Sequence, residues 1–294
     1  MRTTDDEGAW REGAAVVATL TFDVDAETPV LAEGGRFGRH LSTMSHQAYG
    51  PDVGVPRILD WLDRVEVPAT FFVPGWVAER RPGLAPGIVE RGHEVAHHSY
   101  AHRSATTMSE RDQRRDFERA LEVFAAQDIE VVGHRAAMWQ TTLTTLDLVA
   151  EHGLAYDSSM MADDRPYRLR LDDDRTLVEL PVHWSLDDWE QYAFLPDPYV
   201  GPLIEAPSKV LDLWTGELSA MRDYGCLFNL CVHPFLTGRP ARLQVLQQLV
   251  EHARALGDVE FARCRDVAAR AGRASGLREV RVAETPVEPD VYPD

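Results

Sequence analysis

Cysteine is scarce in this chain, with three in 294 residues. Cys226, Cys231 and Cys264 are too few and too unevenly spaced for a disulfide framework. Cys226 and Cys231 are five apart, so on one strand they face opposite sides. They read as reduced, buried thiols of a cytoplasmic protein. Without a C-x-x-C pair, a cysteine-based zinc site is disfavoured. Positive charge is also short. Lys plus Arg number 30 against 48 Asp plus Glu, a formal net charge of −18. That disfavours electrostatic binding to nucleic acid or to anionic lipid. An acidic surface is equally the ordinary look of a soluble enzyme, so it names no substrate. No stretch approaches the ~20 apolar residues of a membrane span. The N-terminal MRTTDDEGAWREG is polar and acidic and lacks the apolar stretch of a signal peptide, so a cytoplasmic location is expected. No internal repeat is visible. What is present is 44% hydrophobic residues, enough for a full core, which excludes a wholly disordered chain.

Residues 1–13 read as a loose polar leader and 14–271 as one catalytic domain. Residues 272–294, rich in Gly, Pro and charge, read as an extended tail, frayed or draped on a neighbouring subunit. Between these ends, strand-like and helix-like segments alternate. Strands are expected at 14–25, 69–74, 92–98, 131–136, 154–159, 177–184, 226–234 and 258–262. Helices are expected at 56–65, 109–127 with Ser109 as cap, 141–153, 208–225 capped by Ser208, and 242–257. The stretches 161–175 and 190–203 read as long connections, either lids or subunit contacts. Repeated β-then-α units predict one α/β barrel or one doubly wound sheet, and periodicity does not separate the two.

Polar residues gather at the C-terminal ends of the expected strands, where α/β folds keep their active sites. The first strand ends in Asp23-Val24-Asp25, and residues two apart share a side. Two such carboxylates persist where a metal or an arginine compensates them. An isolated D-x-D is more often a solvated acidic turn. His98 and His102 are four apart, a spacing that brings two imidazoles together for a divalent metal. A lone H-x-x-x-H is as often structural. His97 faces the other way if the strand continues. Two imidazoles and one carboxylate leave positions open on the metal, the layout of a catalytic rather than a structural site. Arg135 can hold a carboxylate ionised and aimed, or form a surface ion pair. His233 can give a proton to a leaving amine, or be a satisfied core histidine.

The order of these features along the chain resembles the polysaccharide deacetylase superfamily (carbohydrate esterase family 4). The motifs that carry it are TFDVDAE (21–27), HEVAHHSYAH (93–102), GHRAAMW (133–139) and CVHPFLTGRP (231–240), within a resemblance covering about residues 15–262. GVPRILDWL, PATFFVPG, YDSSMMADD and VELPVHWSLDDW look closer still to a branch of peptidoglycan-deacetylase-like proteins without signal peptides, similar to cyclic imidases and metal-free allantoinases. The resemblance implies a distorted (β/α) barrel of about seven strands, a single domain with its site at the C-terminal mouth. It also implies one divalent metal held by Asp25, His98 and His102. Zinc is the first expectation, with Fe, Co, Mn and Ni open. Asp23 would be the general base toward the attacking water, Arg135 would orient Asp23, and His233 would be the general acid. A backbone N–H of the 99–102 turn would help hold the oxyanion. The chain departs from the family pattern at Val24, which separates the two acids, at Ala26 where Gly is common, and at Ala137 where Pro is usual. Asp187 and Asp188 are both candidates for the aspartate that orients His233. Trp76, Trp139 and Trp184, with Trp189 and Tyr192, are pocket candidates, or equally barrel and interface packing.

Three functions follow from this reading. The first is a metal-dependent hydrolase of a small N-acyl compound such as an N-acetyl amino sugar. The second is a ring-opening hydrolase of a cyclic imide or ureide. The third is a non-catalytic carbohydrate-binding relative, which predicts a missing base, ligand or acid, whereas all five of Asp23, Asp25, His98, His102 and His233 are present. The expected partners are a small amide substrate and further copies of the chain, as a dimer or tetramer, with no nucleic acid and no membrane.

Overall fold

The computed structural model describes residues 8–201, 204–288 and 291. In chain order the strands are β1 (Val16–Asp23), β2 (Ala69–Val73), β3 (Glu94–His97), β4 (Gly133–His134), β5 (Tyr156–Asp157) and β6 (Tyr167–Arg170), then β7 (Thr176–Glu179), β8 (Leu195–Pro196), β9 (Tyr199–Val200), β10 (Leu227–Val232), β11 (Val259–Phe261) and β12 (Glu279–Arg281). The helices are α1 (Thr28–Ala32), α2 (Leu41–Tyr49), α3 (Val55–Val65), α4 (Gly75–Arg80), α5 (Leu84–Glu90) and α6 (Glu110–Ala125), then α7 (Leu143–Glu151), α8 (Trp189–Tyr192), α9 (Pro207–Tyr224), α10 (Pro234–Thr237), α11 (Pro240–Leu256) and α12 (Cys264–Arg273).

All eight residues of β1 are buried, as in a parallel strand covered on both faces. It sits between β10 and β2, and the sheet continues through β3, β4 and β5 to β7 with every neighbour parallel. A parallel bridge between Asp187 and Cys231 then brings the chain after β7 back to β10. Seven parallel strands therefore curve round to an irregular closure. This is the expected distorted barrel, and it decides against an open doubly wound sheet. β11 pairs with the first residues of β1. The main apolar cluster lies between the strands and α3, α9 and α11.

The helices follow from local chemistry. Ser109 Oγ accepts from the Asp112 N–H at 3.2 Å and starts α6 as expected. Phe117 and Phe124 then face inward. α9 begins instead at Pro207, with no side-chain cap, so the cap expected of Ser208 is not made. It ends at Gly225, whose φ of +66° suits glycine.

Both expected ends need correction. Residues 1–7 lie outside the described residues, but the rest of the expected leader is packed. Trp10 is fully buried in a cluster with α12. The expected tail, 272–294, begins inside α12 and then adds β12 to the sheet, parallel to β6. The stretch 161–175 carries β6, which pairs antiparallel with β7. In the stretch 190–203, β8 and β9 form a small hairpin of their own. Residues 28–54, for which periodicity gave no element, hold α1, α2 and a π-helical turn at 50–54. They leave the C-terminal end of β1, so they lie at the mouth of the barrel.

Candidate active site

Asp23 and Asp25 leave the end of β1 with different partners. Asp23 Oδ1 accepts from Arg135 Nη1 at 2.8 Å. Arg135 follows β4 and is wholly buried. Its remaining donors go to Thr21 Oγ1, to the Ser158 carbonyl and to Ser158 Oγ, and its guanidinium lies 4.0 Å over the Phe72 ring. A charge fixed on that many sides can compensate one buried carboxylate and hold it in a single pose. Asp25 has no such arginine. Its Oδ1 is buried without a hydrogen-bond partner.

His98 and His102 stand against Asp25. His98 Nε2 is 3.3 Å from Asp25 Oδ1, and His102 Nε2 is 3.3 Å from Asp25 Oδ2. His98 Nδ1 is 2.8 Å from the Arg135 carbonyl. A carbonyl only accepts, so Nδ1 carries a proton, and with a cation present the neutral ring would turn a lone pair at Nε2 toward Asp25. Ligand atoms sharing one tetrahedral ion at bonds of about 2.0–2.1 Å are about 3.4 Å apart. The spacing, the donor types and the partnerless Asp25 Oδ1 all fit a divalent cation. Two further groups among the described residues have their ligand atoms within 4.8 Å of one another, Asp23–Cys231–His233 and Asp187–Asp188–His233. Their acids or imidazole are already engaged by Arg135 and by Asp188.

The electrostatics run the same way. Burial opposes the charge on Asp25, but the three surrounding imidazoles hold its carboxyl below the usual carboxylate range. Burial takes His102 down to about 4 against the pull of Asp25, so it is neutral and free to ligate. For His98 burial also works downward, yet the Asp23 and Asp25 carboxylates outweigh it and raise it.

His233 ends β10. Its Nδ1 is 2.7 Å from Asp188 Oδ1, and its own N–H donates to the same oxygen at 2.9 Å. Thr237 Oγ1 donates to Asp188 Oδ2. Of the two candidates, Asp188 therefore orients His233. Asp187 accepts from the Trp189 N–H at 2.8 Å and stands 3.6 Å from His233 Nδ1. Burial lowers the imidazole, but the hydrogen bond and charge of Asp188, with Asp25 and Asp187, lift it to about 10. His233 Nε2 points at the Asp25 group, 3.5 Å from Oδ2.

Sequence reasoning placed six residues here, and the fold brings Asp23, Asp25, His98, His102, Arg135 and His233 together. No side chain in the ion pairs among them is more than 7% exposed. His97 faces the other way, toward the Phe117 carbonyl. Trp139 packs on Val182 and Cys231 and lies against the half-exposed Trp184, ring centroids 4.6 Å apart and planes tilted by 32°. Trp189 meets His233 edge to face at 5.2 Å. Trp76 takes the packing alternative. It packs on the main core and carries the Arg80 guanidinium 4.3 Å over its ring.

The expected oxyanion donor also needs correction. Within the 99–102 turn, the Ser99 N–H goes to His97 Nδ1, those of Tyr100 and Ala101 to Asp116, and that of His102 to Ser99 Oγ. Sequence reasoning missed Asp116, Ser158 and Ser159, whose Oγ accepts from the Ala136 N–H at 2.8 Å beside Arg135. Each is one polar residue among many in its segment, and only the fold shows which backbone or guanidinium it meets.

Comparisons with known proteins agree with this architecture. The polysaccharide deacetylase family profile matches residues 48–156. The peptidoglycan deacetylase of Helicobacter pylori is 26% identical over 266 residues, 81% of this chain and 89% of that protein. A crystal structure assigned to the polysaccharide deacetylases, from Mycobacterium smegmatis, superposes with a TM-score of 0.89 at 44% identity, covering 94% of this chain and 96% of that one. An allantoinase shares the fold at a TM-score of 0.77 and 21% identity, covering 90% of this chain and 92% of that one. With a constellation so arranged and a relative so similar over nearly its whole length, the chain belongs to the polysaccharide deacetylase family.

Proposed function

We propose that the chain is a metal-dependent hydrolase of a non-peptide carbon–nitrogen bond in a small N-acyl compound, such as an N-acetyl amino sugar. One observation carries the reading: an arginine-held carboxylate, a carboxylate facing two imidazoles and an aspartate-held imidazole meet at one mouth. Asp25, His98 and His102 would hold the cation, zinc first and Fe, Co, Mn or Ni open. A bound divalent ion supplies Lewis-acid charge to the reacting carbonyl and to water.

The chain's own groups supply the proton transfers. Asp23, held in one pose by Arg135, takes a proton from the attacking water. The water oxygen bonds to the acyl carbon and the carbon–nitrogen bond breaks. His233, kept protonated by Asp188, gives its proton to the departing nitrogen. The products are a carboxylic acid and an amine, and a proton passed from Asp23 back to His233 restores the site.

Burial of the site supports a small substrate. Residues 50–54 pack on the start of α10, beside His233, and Asp187–Trp189 flank His233, so both segments border the site, whereas a polymer needs an open groove. The same enclosure favours a second reading, ring opening of a cyclic imide or ureide. A panel of N-acetyl amino sugars, their oligomers and cyclic imides, assayed with zinc-loaded enzyme, tests both. Turnover of one small class, and faster turnover of monomers than of long oligomers, is expected. Preference for the polymer, or no turnover of either class, would contradict the proposal. A cytoplasmic homo-oligomer belongs to the same reading, and light scattering that returns a monomer would remove the oligomer. No helix among the described residues is long and apolar enough to cross a membrane.

A further inference from the structure

The two histidines that face Asp25 are joined by a strained turn. Ser99 has φ +59° and His102 φ +53°, so two residues with side chains occupy the left-handed region. Such a conformation persists only where its surroundings over-determine it. The carbonyls of the turn are held by α4. The Gly75 N–H donates to the Ser99 carbonyl at 2.9 Å and the Trp76 N–H to the Tyr100 carbonyl at 3.0 Å. Its two central amides, of Tyr100 and Ala101, are held by one side chain. Asp116 Oδ2 accepts from the Tyr100 N–H at 2.7 Å and Asp116 Oδ1 from the Ala101 N–H at 3.1 Å.

Asp116 is itself placed rigidly. It sits in the middle of α6, next to the buried Phe117 and one turn before the buried Ala120. Two successive N–H groups form a small anion-binding concavity, and a carboxylate offers one acceptor oxygen to each. An asparagine offers only one acceptor, and an alanine none. The Tyr100 side chain adds a further tie, with its hydroxyl on Glu79 Oε2 at 2.6 Å and the Arg119 guanidinium 3.8 Å over its ring. The turn is therefore fastened to α4 and α6 on both sides, and the α6 clamp reaches its backbone through Asp116.

We propose that Asp116 is a positioning residue of the metal centre, whose two carboxylate oxygens fix the Tyr100 and Ala101 amides and thereby the placement of His102 relative to His98. The inference rests on the reading of Asp25, His98 and His102 as a cation site. It needs no contact between Asp116 and the ion or substrate. Asp116 acts on the ligands through the backbone, as the partners of metal ligands do elsewhere.

The test is the Zn²⁺ affinity of the full chain, measured by competition with a chromophoric chelator. It is paired with thermal melting and amide exchange of the metal-free protein. Wild type is compared with Asp116→Ala, Asp116→Asn, Asp25→Ala and Leu121→Ala. Leu121 lies on the same helix, packed against an apolar cluster away from the site. Asp116→Ala is expected to weaken Zn²⁺ binding roughly 10- to 100-fold, and Asp116→Asn by less. Exchange at Tyr100 and Ala101 is expected to quicken in Asp116→Ala. Leu121→Ala is expected to lower the melting temperature without changing affinity. Wild-type affinity in Asp116→Ala, or a loss matched by Leu121→Ala at equal melting temperature, would overturn the inference alone. If Asp116→Ala does not fold, Asp116→Asn with wild-type affinity would do the same. A wild-type chain that binds no Zn²⁺, or an Asp25→Ala chain that binds it as tightly as wild type, would overturn the metal reading and this inference with it.

Discussion

Asp187 and Asp188 are neighbours of one residue type, and the fold gives them opposite tasks. Asp188 takes hydrogen bonds from the ring and the backbone of His233 and from Thr237. Asp187 has one backbone donor and is otherwise buried. Burial raises its carboxyl, His233 opposes, and Asp188 adds to the rise, taking it to about 7. In the unfolded chain an aspartate titrates near 3.9. Between about pH 4 and pH 7 the folded chain therefore holds a proton that the unfolded chain has released. The folded pKa is the higher one, so this contribution is complete below pH 4 and lost as pH rises through 7. We predict that stability falls across this window by no more than about 4 kcal/mol, and that the fall flattens in Asp187→Asn. Urea midpoints at pH 5 and pH 8 would check it, and equal slopes in both proteins would contradict it. Removal of the His233 ring predicts a kinetic effect. His233→Ala should slow substrates with poor leaving groups far more than those with good ones, by about 10²–10⁴-fold for general acid catalysis. Equal losses across a leaving-group series would reject its role as the acid.

At the scale of elements, the mouth depends on close backbone approach. Gly54, in the turn between α2 and α3, faces the start of α10, the helix that begins one residue after His233. A Cβ at Gly54 would lie 2.3 Å from the Pro234 carbonyl oxygen and 2.9 Å from its carbon. Backbone cannot give way as a side chain can, so Gly54→Ala should destabilise the fold by about 1–3 kcal/mol and lower turnover by shifting α10. An unchanged melting temperature would contradict this packing. Several of the seven barrel strands were legible in the sequence because they join an apolar run to a polar end, as in TLTFDVD and CLFNLCVHP. Helices α6 and α11 were legible from their apolar spacing. Residues 28–54 were not, since α2 buries only Gln47 and shows no apolar face. β6 and β12 were also missed. Their charged, half-exposed residues read as connection and tail, and only pairing with each other and with β7 makes them strands.

At the scale of the whole molecule, the fold gathers six residues from the ends of β1, β3, β4 and β10 into one buried group. Their convergence was legible from motif order because each motif stands at a strand end, where the fold fixes its direction. The choice between Asp187 and Asp188, the clamp at Asp116 and the closure of the mouth depend on contacts across long sequence separations, which spacing does not reveal. The formal charge is −18, which disfavours long-range attraction of a polyanionic substrate. The central claim is that Asp25 holds a cation while Asp23 moves a proton, two carboxylates two residues apart with separate work. The most direct test measures divalent metal per chain and amide turnover side by side for wild type, Asp25→Ala and Asp23→Asn, purified without chelator or histidine tag. The account predicts about one ion per chain in wild type and in Asp23→Asn, none in Asp25→Ala, and turnover only in wild type. An ion retained by Asp25→Ala, no ion in wild type, or undiminished turnover in Asp23→Asn would contradict it.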